Sequence, residues 1–472
     1  MSRVLMVASE VAPLCKTGGL ADVLGSLPAA LREIGEEVAV VLPNYLDLQL
    51  PSEPAEVWPE FPLRCGSHTF PTRILSLELN GVTHYLIDCP ALYARHGIYG
   101  GAGGDFWDNP VRYAVLSLGA IAVSRFLFRP GVLHCHDWQA SLAPIYLRST
   151  YSPDPTYLGI RTLLTIHNLG YQGRYGSYVM GDIGLPMSLY HRDALEYFGD
   201  VNYLKGGIAF ADAINTVSPN YAREIQTPEY GFGLDGFLRA RSSRLSGILN
   251  GVDYSEWNPE TDPGIARNYS ASNLAGKREC KRALLAELGL PDSLDRPLIG
   301  IVSRFADQKG FDLVEQAAAD IAGEDVAVAV LGSGDPRFEN SFRQFAQIWP
   351  RVYGVRIGYN GPLARRIEAG ADMFLMPSRY EPCGLNQIYS LRYGTIPIVR
   401  ATGGLDDTID PGTGFKFWDY SPWSLMGAIR SALEAWRDRK QWTAMMVHSM
   451  AKDFSWQVSA AEYAALYRRL IG

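Results

Sequence analysis

The chain has 472 residues, with 43 Lys and Arg against 50 Asp and Glu, a formal net charge of −7, and 47% hydrophobic and 20% charged residues. This is ordinary globular usage at a length that suggests two or three domains, two if they are α/β, and the acidic balance argues against a nucleic-acid surface as the main role while leaving room for a small anionic ligand held by a few local cations. No apolar run reaches the roughly eighteen residues that span a bilayer, the N-terminal apolar stretch is too short for a signal peptide, and the six cysteines are widely spaced with no C-x-x-C, so a soluble, cytoplasmic protein with free thiols is expected.

The opening RVLMVAS reads as a buried parallel strand. A Gly-Gly loop follows, and then LADVLGSLPAALREIG places Leu20, Val23, Leu24, Leu27, Ala30 and Leu31 at helical spacing until Gly35 stops it. EVAVVLP is the next strand and completes a βαβ unit. The stretch from Pro51 to about Thr83 is different, with prolines and alternating residues, and suggests an antiparallel insertion. VTHYLIDCP, GVLHCHDW, RTLLTIHN and DAINTVSP continue the strand series, with helical segments such as NPVRYAVLSLGAIAVSRFL between most of them.

LSGILNGVDYSEWNP breaks the rhythm, with Asn250-Gly251 as a turn dipeptide. RPLIGIVSR then starts a second series, continued by DVAVAVLGSG, GVRIGYN, ADMFLMPS and TIPIVRAT. This predicts a second parallel sheet with helices on both faces. The tail SWQVSAAEYAALYRRLIG reads as a last amphipathic helix. TGGLADV from Thr17 and TGGLDDT from Thr402 each set a Gly pair before a helix. Ligands of such sheets bind beyond the carboxyl ends of the strands, so two facing sheets would make one interdomain site.

Five stretches carry candidate chemistry. In LCKTGGLADVLGSLP, Gly18 and Gly19 allow close backbone approach, the helix after them offers free N–H groups, and Lys16 adds a charge. The stretch is neither G-x-x-x-x-G-K-[ST] nor G-x-G-x-x-G, and a plain strand-to-helix turn fits it as well. SRFADQKG sets Arg304 and Lys309 five apart at a strand's carboxyl end, suited to a diphosphate whose charge grows as it leaves; two solvated surface cations are the plainer alternative. In SRYEPCGLNQ, Glu381 stands before a Gly and an apolar helix, as a cap or as a partner for a sugar hydroxyl, and Cys383 reads as a small buried hydrophobe. HCHDW puts His134 and His136 on one strand face, two ligands where a structural zinc needs four, and His167 with Asn168 ends another strand, as a core histidine or a substrate contact.

KTGGLADV, HDWQASLAPIYL, TIHNLGYQG, TVSPNYAREI, LNGVD, SRFADQKG, EPCGLNQIYSLRYGTIPIV and TGGLDDT together resemble, in order and over nearly the whole chain, bacterial glycogen synthases and plant starch synthases, which add glucose from ADP-glucose to an α-1,4-glucan. The resemblance implies an α/β GT-B fold. Two Rossmann-like, doubly wound domains would face an interdomain cleft: 1–248 on the acceptor side and 249–455 on the nucleotide-sugar donor side, with a C-terminal helix, 456–472, crossing back to the first. It implies a retaining, metal-independent hexosyl transfer without cofactor, with ADP-glucose and a glycogen primer as partners. Arg304 and Lys309 match the cations that neutralise the departing diphosphate, Glu381 the carboxylate near the donor glucose, and His167 the histidine that holds that glucose. Lys16, Gly18 and Gly19 match the donor-binding loop, and Asp137 and Asn250 match polar residues lining the sugar end. Tyr359 matches a tyrosine that stacks on adenine, Tyr93 one near the acceptor, and Cys383, Gly384 and Leu385 complete the substrate-binding set. The chain departs from the family pattern at Asn386, where many bacterial relatives carry Thr, at Gly361 and Arg365, where Glu and His are usual, and in a short stretch after TGGLDDT.

Three other readings compete, besides the same transfer from UDP-glucose. An NAD-dependent oxidoreductase needs G-x-G-x-x-G after the first strand, which is missing. A non-catalytic glucan-binding relative predicts loss of Lys309 or Glu381, and both are present. A phosphorylase needs a pyridoxal-phosphate lysine segment, and none is convincing.

Overall fold

The computed structural model describes residues 1–101 and 103–472. The chain divides into two compact units. The first comprises Met1–Val217, Ala222–Gly251 and Trp456–Gly472; the second comprises Ser218–Tyr221 and Val252–Ser455. The second unit thus opens at Val252, three residues past the expected boundary, and takes in a four-residue segment far upstream.

The first unit is built on a nine-stranded sheet. In spatial order its strands are Leu245–Gly247, Ala213–Thr216, Arg161–Ile166, Val132–His136, Arg3–Val7, Glu37–Pro43, Val82–Asp88, His68–Leu79 and Ala55–Cys65. The first seven run parallel. The last two form the antiparallel hairpin expected between Pro51 and Thr83. Val4–Val7 and Val38–Pro43 are buried, as continuous apolar runs in a sheet covered on both faces require. Leu245–Gly247 is a strand of three residues that the sequence pattern had marked only as a break. Three residues are too few to show a period.

Helix Gly19–Glu33 ends where predicted. Gly35, at φ +93°, turns the chain back so that its N–H reaches the Arg32 carbonyl and that of Glu36 reaches Leu31. This left-handed exit costs glycine no Cβ clash. The C-terminal helix Trp456–Ile471 packs into the same core, with Trp456, Tyr463 and Tyr467 among Val4, Met6, Val132 and Leu163. Gly251 is needed here for space: a Cβ on it would stand 2.5 Å from Trp456 Cα.

The second unit holds a six-stranded, all-parallel sheet, in spatial order Tyr353–Ile357, Ala327–Gly334, Leu298–Phe305, Met373–Met376, Ile396–Arg400 and Phe415–Phe417. Side chains alternate between two cores, as the pleat dictates. Ile299, Ile301, Val328, Val330, Met373 and Leu375 face helices Phe311–Gly323 and Pro422–Arg437. Leu298, Ala329, Leu331 and Phe374 face helices Ala275–Leu288 and Gly361–Gly370. The sheet is doubly wound. Among the described residues no helix is long and apolar enough to cross a membrane.

Candidate active site

Among the parallel strands of each of the two large sheets there is a place where the strand order switches sides, and loops leaving the two strands there diverge to open a crevice. In the first unit it lies between Arg3–Val7 and Val132–His136: the strands after residue 7 go to one side as far as Ala55–Cys65, and those from 132 onward go to the other. The segments leaving these two carboxyl ends carry Glu10, Lys16, Gly18, Gly19 and Asp137.

Glu10 organises the opening loop, and the sequence reading did not single it out. Only 3% exposed, its carboxylate accepts from the Thr17 amide, from Thr17 Oγ1 at 2.7 Å, from the Gly18 amide at 3.2 Å and from the Tyr99 hydroxyl. The signal available was an acid directly after a buried strand, where burial demands several donors. Gly18 has φ −150°, extended backbone open to any residue, so the turn itself does not require glycine. A Cβ on Gly18 or Gly19 would meet nothing within 4 Å. Lys16 is exposed and pairs with Asp22 at 2.6 Å.

Asp137 sits at φ +56°, a conformation that Asp tolerates better than most side chains. From there its Oδ1 accepts the His167 amide at 2.7 Å and ties two neighbouring strand ends together. Burial pushes its carboxyl up to about 7, with the charge of Glu10 adding to the rise and the amides of His167 and Asn168 opposing it. His167 Nε2 lies 3.0 Å from His136 Nδ1. Burial drives His167 down to about 3 and His136 well below its ordinary value, so both rings are neutral. His134 and His136 share a face, as the strand predicts, with ring centroids 4.1 Å apart and the rings tilted by 35°; His134 is engaged by Tyr467 Oη at 2.9 Å and Thr165 Oγ1 at 2.7 Å. Asn250 is 7% exposed, and among the described residues its Oδ1 has no hydrogen-bond partner. Tyr93, expected at the acceptor, lies in the core instead. It is 0% exposed, its hydroxyl donates to the Arg112 carbonyl at 2.6 Å, and the Arg112 guanidinium sits beside its ring.

In the second unit the reversal lies between Leu298–Phe305 and Met373–Met376. The segments at these ends are SRFADQKG, whose first three residues close the strand, and SRYEPCG, and the sheet brings them side by side. The Arg379 amide donates to the Gln308 carbonyl at 2.8 Å, and Gln308 Nε2 reaches the Tyr380 carbonyl at 3.3 Å. Gly310, at φ +74°, passes so near Pro377 that a Cβ would stand 2.0 Å from its carbonyl oxygen. Lys309 Nζ lies 2.6 Å from Glu381 Oε2, which also accepts from Ser378 Oγ at 3.0 Å. Arg304 is exposed, and among the described residues its guanidinium makes no hydrogen bond or ion pair.

Cys383 is 5% exposed, as expected of a small hydrophobe, and Gly384 holds φ +72° just before helix Asn386–Arg392. Leu385 is that helix's N-cap. Asn386 Nδ2 donates to the Val302 carbonyl at 2.8 Å and so ties the helix to the strand that carries Arg304 near its end. Tyr359, past the end of Tyr353–Ile357, is 96% exposed. Arg365 turns to the segment at 256–257, where it pairs with Glu256 and stacks 4.6 Å over Trp257.

Residues 3–240 match the family model described as starch synthase catalytic domain, and residues 290–445 that of glycosyl transferases group 1. A glycogen synthase of Koribacter versatilis is 48% identical over 99% of this chain and 98% of its own. One from Anaeromyxobacter dehalogenans is 47% identical over 99% of both. Among solved structures, the catalytic domain of starch synthase IV from Arabidopsis thaliana, bound to ADP and acarbose, superposes with a TM-score of 0.90 at 32% identity, covering 100% of this chain and 99% of that one.

Proposed function

The chain belongs to the family of glycogen and starch synthases, and on that premise we propose that it transfers glucose from ADP-glucose to the non-reducing end of an α-1,4-glucan, retaining the anomeric configuration and releasing ADP. The observation that carries this reading is the pairing of Lys309 with the 7%-exposed Glu381 at the reversal point of the second sheet, with the exposed Arg304 at the end of the adjoining strand. A glucosyltransferase of this family breaks one bond at glucose C1 and makes another. It must stabilise the charge that builds on a departing diphosphate, and fixed cations in a partly dry site do so at no reorganisation cost.

Arg304 and Lys309 take that role. The bond from glucose C1 to the diphosphate oxygen breaks, the acceptor's 4-hydroxyl oxygen bonds to C1 on the same face, and its proton passes to the departing diphosphate oxygen. Glu381 needs no nucleophilic role in this scheme; bound to Lys309 and Ser378, it orients the lysine and faces the sugar. His167 contacts the glucose, Asp137 and Asn250 line its surroundings, and Tyr359 offers a face for adenine. The starch synthase of known structure was solved with ADP and acarbose, a nucleotide and a glucan-like ligand, which supports the same ligand classes here.

The test is incubation with glycogen and either radiolabelled ADP-glucose or UDP-glucose, with and without a chelator. We expect label in glycogen from ADP-glucose, undiminished by chelation, and an α-linked product by NMR. Transfer from UDP-glucose alone would overturn the donor assignment. Transfer from neither would overturn the activity.

A further inference from the structure

His136 and His167 pose a question of proton ownership. Their facing nitrogens, Nδ1 of His136 and Nε2 of His167, stand 3.0 Å apart and share one hydrogen bond. With both rings neutral, each carries a single proton. If His167 donates from Nε2, His136 must hold its own proton on Nε2. That nitrogen is buried, and among the described residues no group bonds to it. His134, the ring lying against His136, has both nitrogens committed, to Tyr467 and Thr165. An N–H orphaned in a protein interior is rarer and costlier than an unpaired acceptor. If His136 donates instead from Nδ1, the orphan is only a lone pair. His167 then accepts at Nε2 and carries its proton on Nδ1.

We propose that His136 is a positioning residue that fixes His167 in the Nδ1–H tautomer, so that the imidazole presents a donor, and not a lone pair, to an oxygen of its ligand. The inference rests on the reading above that His167 contacts the donor glucose, where the acceptor is a sugar hydroxyl oxygen. It gives the HCH portion of HCHDW a task. His134 walls the ring of His136, His136 sets the proton of His167, and Asp137 holds the backbone of His167 through its amide. The second-strand histidine is thereby fixed in place and in protonation before any ligand is engaged.

Long-range proton–nitrogen correlation on histidine-labelled protein reads the tautomer directly, with the His167 signals assigned from their loss in His167→Gln. His167 is expected protonated on Nδ1 in the wild type. His136→Asn, whose amide N–H stands near the place of Nδ1, keeps that tautomer and most of the turnover. His136→Phe mixes the tautomers and lowers kcat about tenfold, with little change in KM for glycogen. A wild-type His167 protonated on Nε2 overturns the proposal, as does a folded His136→Phe with wild-type kcat or a His136→Asn that behaves like Phe. Should the Phe variant fail to fold, the wild-type tautomer still decides. The spectrum needs no activity, so an absence of glucosyl transfer would defeat the functional reading and leave this one to be judged on its own.

Discussion

Glu381 accepts two donors, the Lys309 ammonium at 2.6 Å and the Ser378 hydroxyl at 3.0 Å, while its side chain is 7% exposed. Removing one partner of a pair this hidden leaves the other charge poorly matched in a low-dielectric site. Lys309→Ala should therefore lose about 10²–10³ in kcat, the cost of one transition-state donor, and also lower Tm, because Glu381 keeps only Ser378. Glu381→Gln differs in direction: it removes the carboxylate that faces the sugar and orients Lys309, so turnover falls, while the Lys309 charge is left to the diphosphate and ADP binds as tightly as before or more so. Calorimetric titration with ADP checks this, and a tenfold loss of affinity would remove Lys309 from the diphosphate site. Asp137 brings pH into stability. Its folded carboxyl titrates at about 7 against 3.8 for an ordinary one. Below about pH 4 both folded and unfolded chains hold the proton. Between 4 and 7 only the folded chain does, so stability contributed by this group falls as pH rises through that window and levels off above it. Asp137→Asn keeps an acceptor for the His167 amide without the charge. Its Tm advantage over the wild type should be larger at pH 8 than at pH 5, and an equal shift at both would refute the assignment.

At the scale of the element, the two TGGL stretches look alike in sequence and use their glycines for opposite reasons. Beyond Gly18 and Gly19 there is open space, and neither has positive φ. Gly403 has φ +46°, and a Cβ on it would stand 1.9 Å from the Glu381 carbonyl oxygen, while one on Gly404 would stand 2.1 Å from that of Cys383. Gly18→Ala should leave Tm unchanged and raise KM for the sugar nucleotide, because only a ligand would meet the new methyl. Gly403→Ala should lower Tm by several degrees, since strain at positive φ adds to a backbone clash. The reverse ranking by thermal melting would show that the first pair serves the fold and not the ligand. Glu10 belongs to the same element and holds it from beneath. Glu10→Gln replaces one oxygen by a donor facing donors, and should cost about 2 kcal/mol and raise the same KM. The sequence showed the Gly pairs and the strand-to-helix junctions around them, because those are local. It could not show that Gly403 is pressed against Glu381, or that Glu10 reaches forward to Thr17 and across to Tyr99, because those contacts are made by the fold.

At the scale of the whole molecule, two parallel sheets were legible because strands buried on both faces read as apolar runs, and LIGIV, AVAVL and MFLM, at the starts of Leu298–Phe305 and Ala327–Gly334 and over Met373–Met376, all do. The edge strands Leu245–Gly247 and Phe415–Phe417 were not, being three residues each. The switch points explain why the chemistry gathers where it does: SRFADQKG and SRYEPCG are some seventy residues apart in the chain, yet they leave adjacent strands on either side of one reversal. The C-terminal helix shows that chain order and unit membership diverge. It follows the second unit in sequence and completes the core of the first, burying Trp456, Ala460, Tyr463, Ala464, Leu466 and Tyr467. Each large aromatic lost from a core costs about 3–5 kcal/mol, and three exceed much of the roughly 5–15 kcal/mol by which a domain is stable. A chain ending at residue 455 should therefore lose the cooperative unfolding of its first unit and bind a hydrophobic dye. Tyr467→Phe, which removes only the hydroxyl at His134 Nδ1, should stay folded and lose about 1 kcal/mol, a shift of roughly 2–4 °C. If the truncated chain melted at the wild-type temperature, the helix would be an appendage and not part of that core.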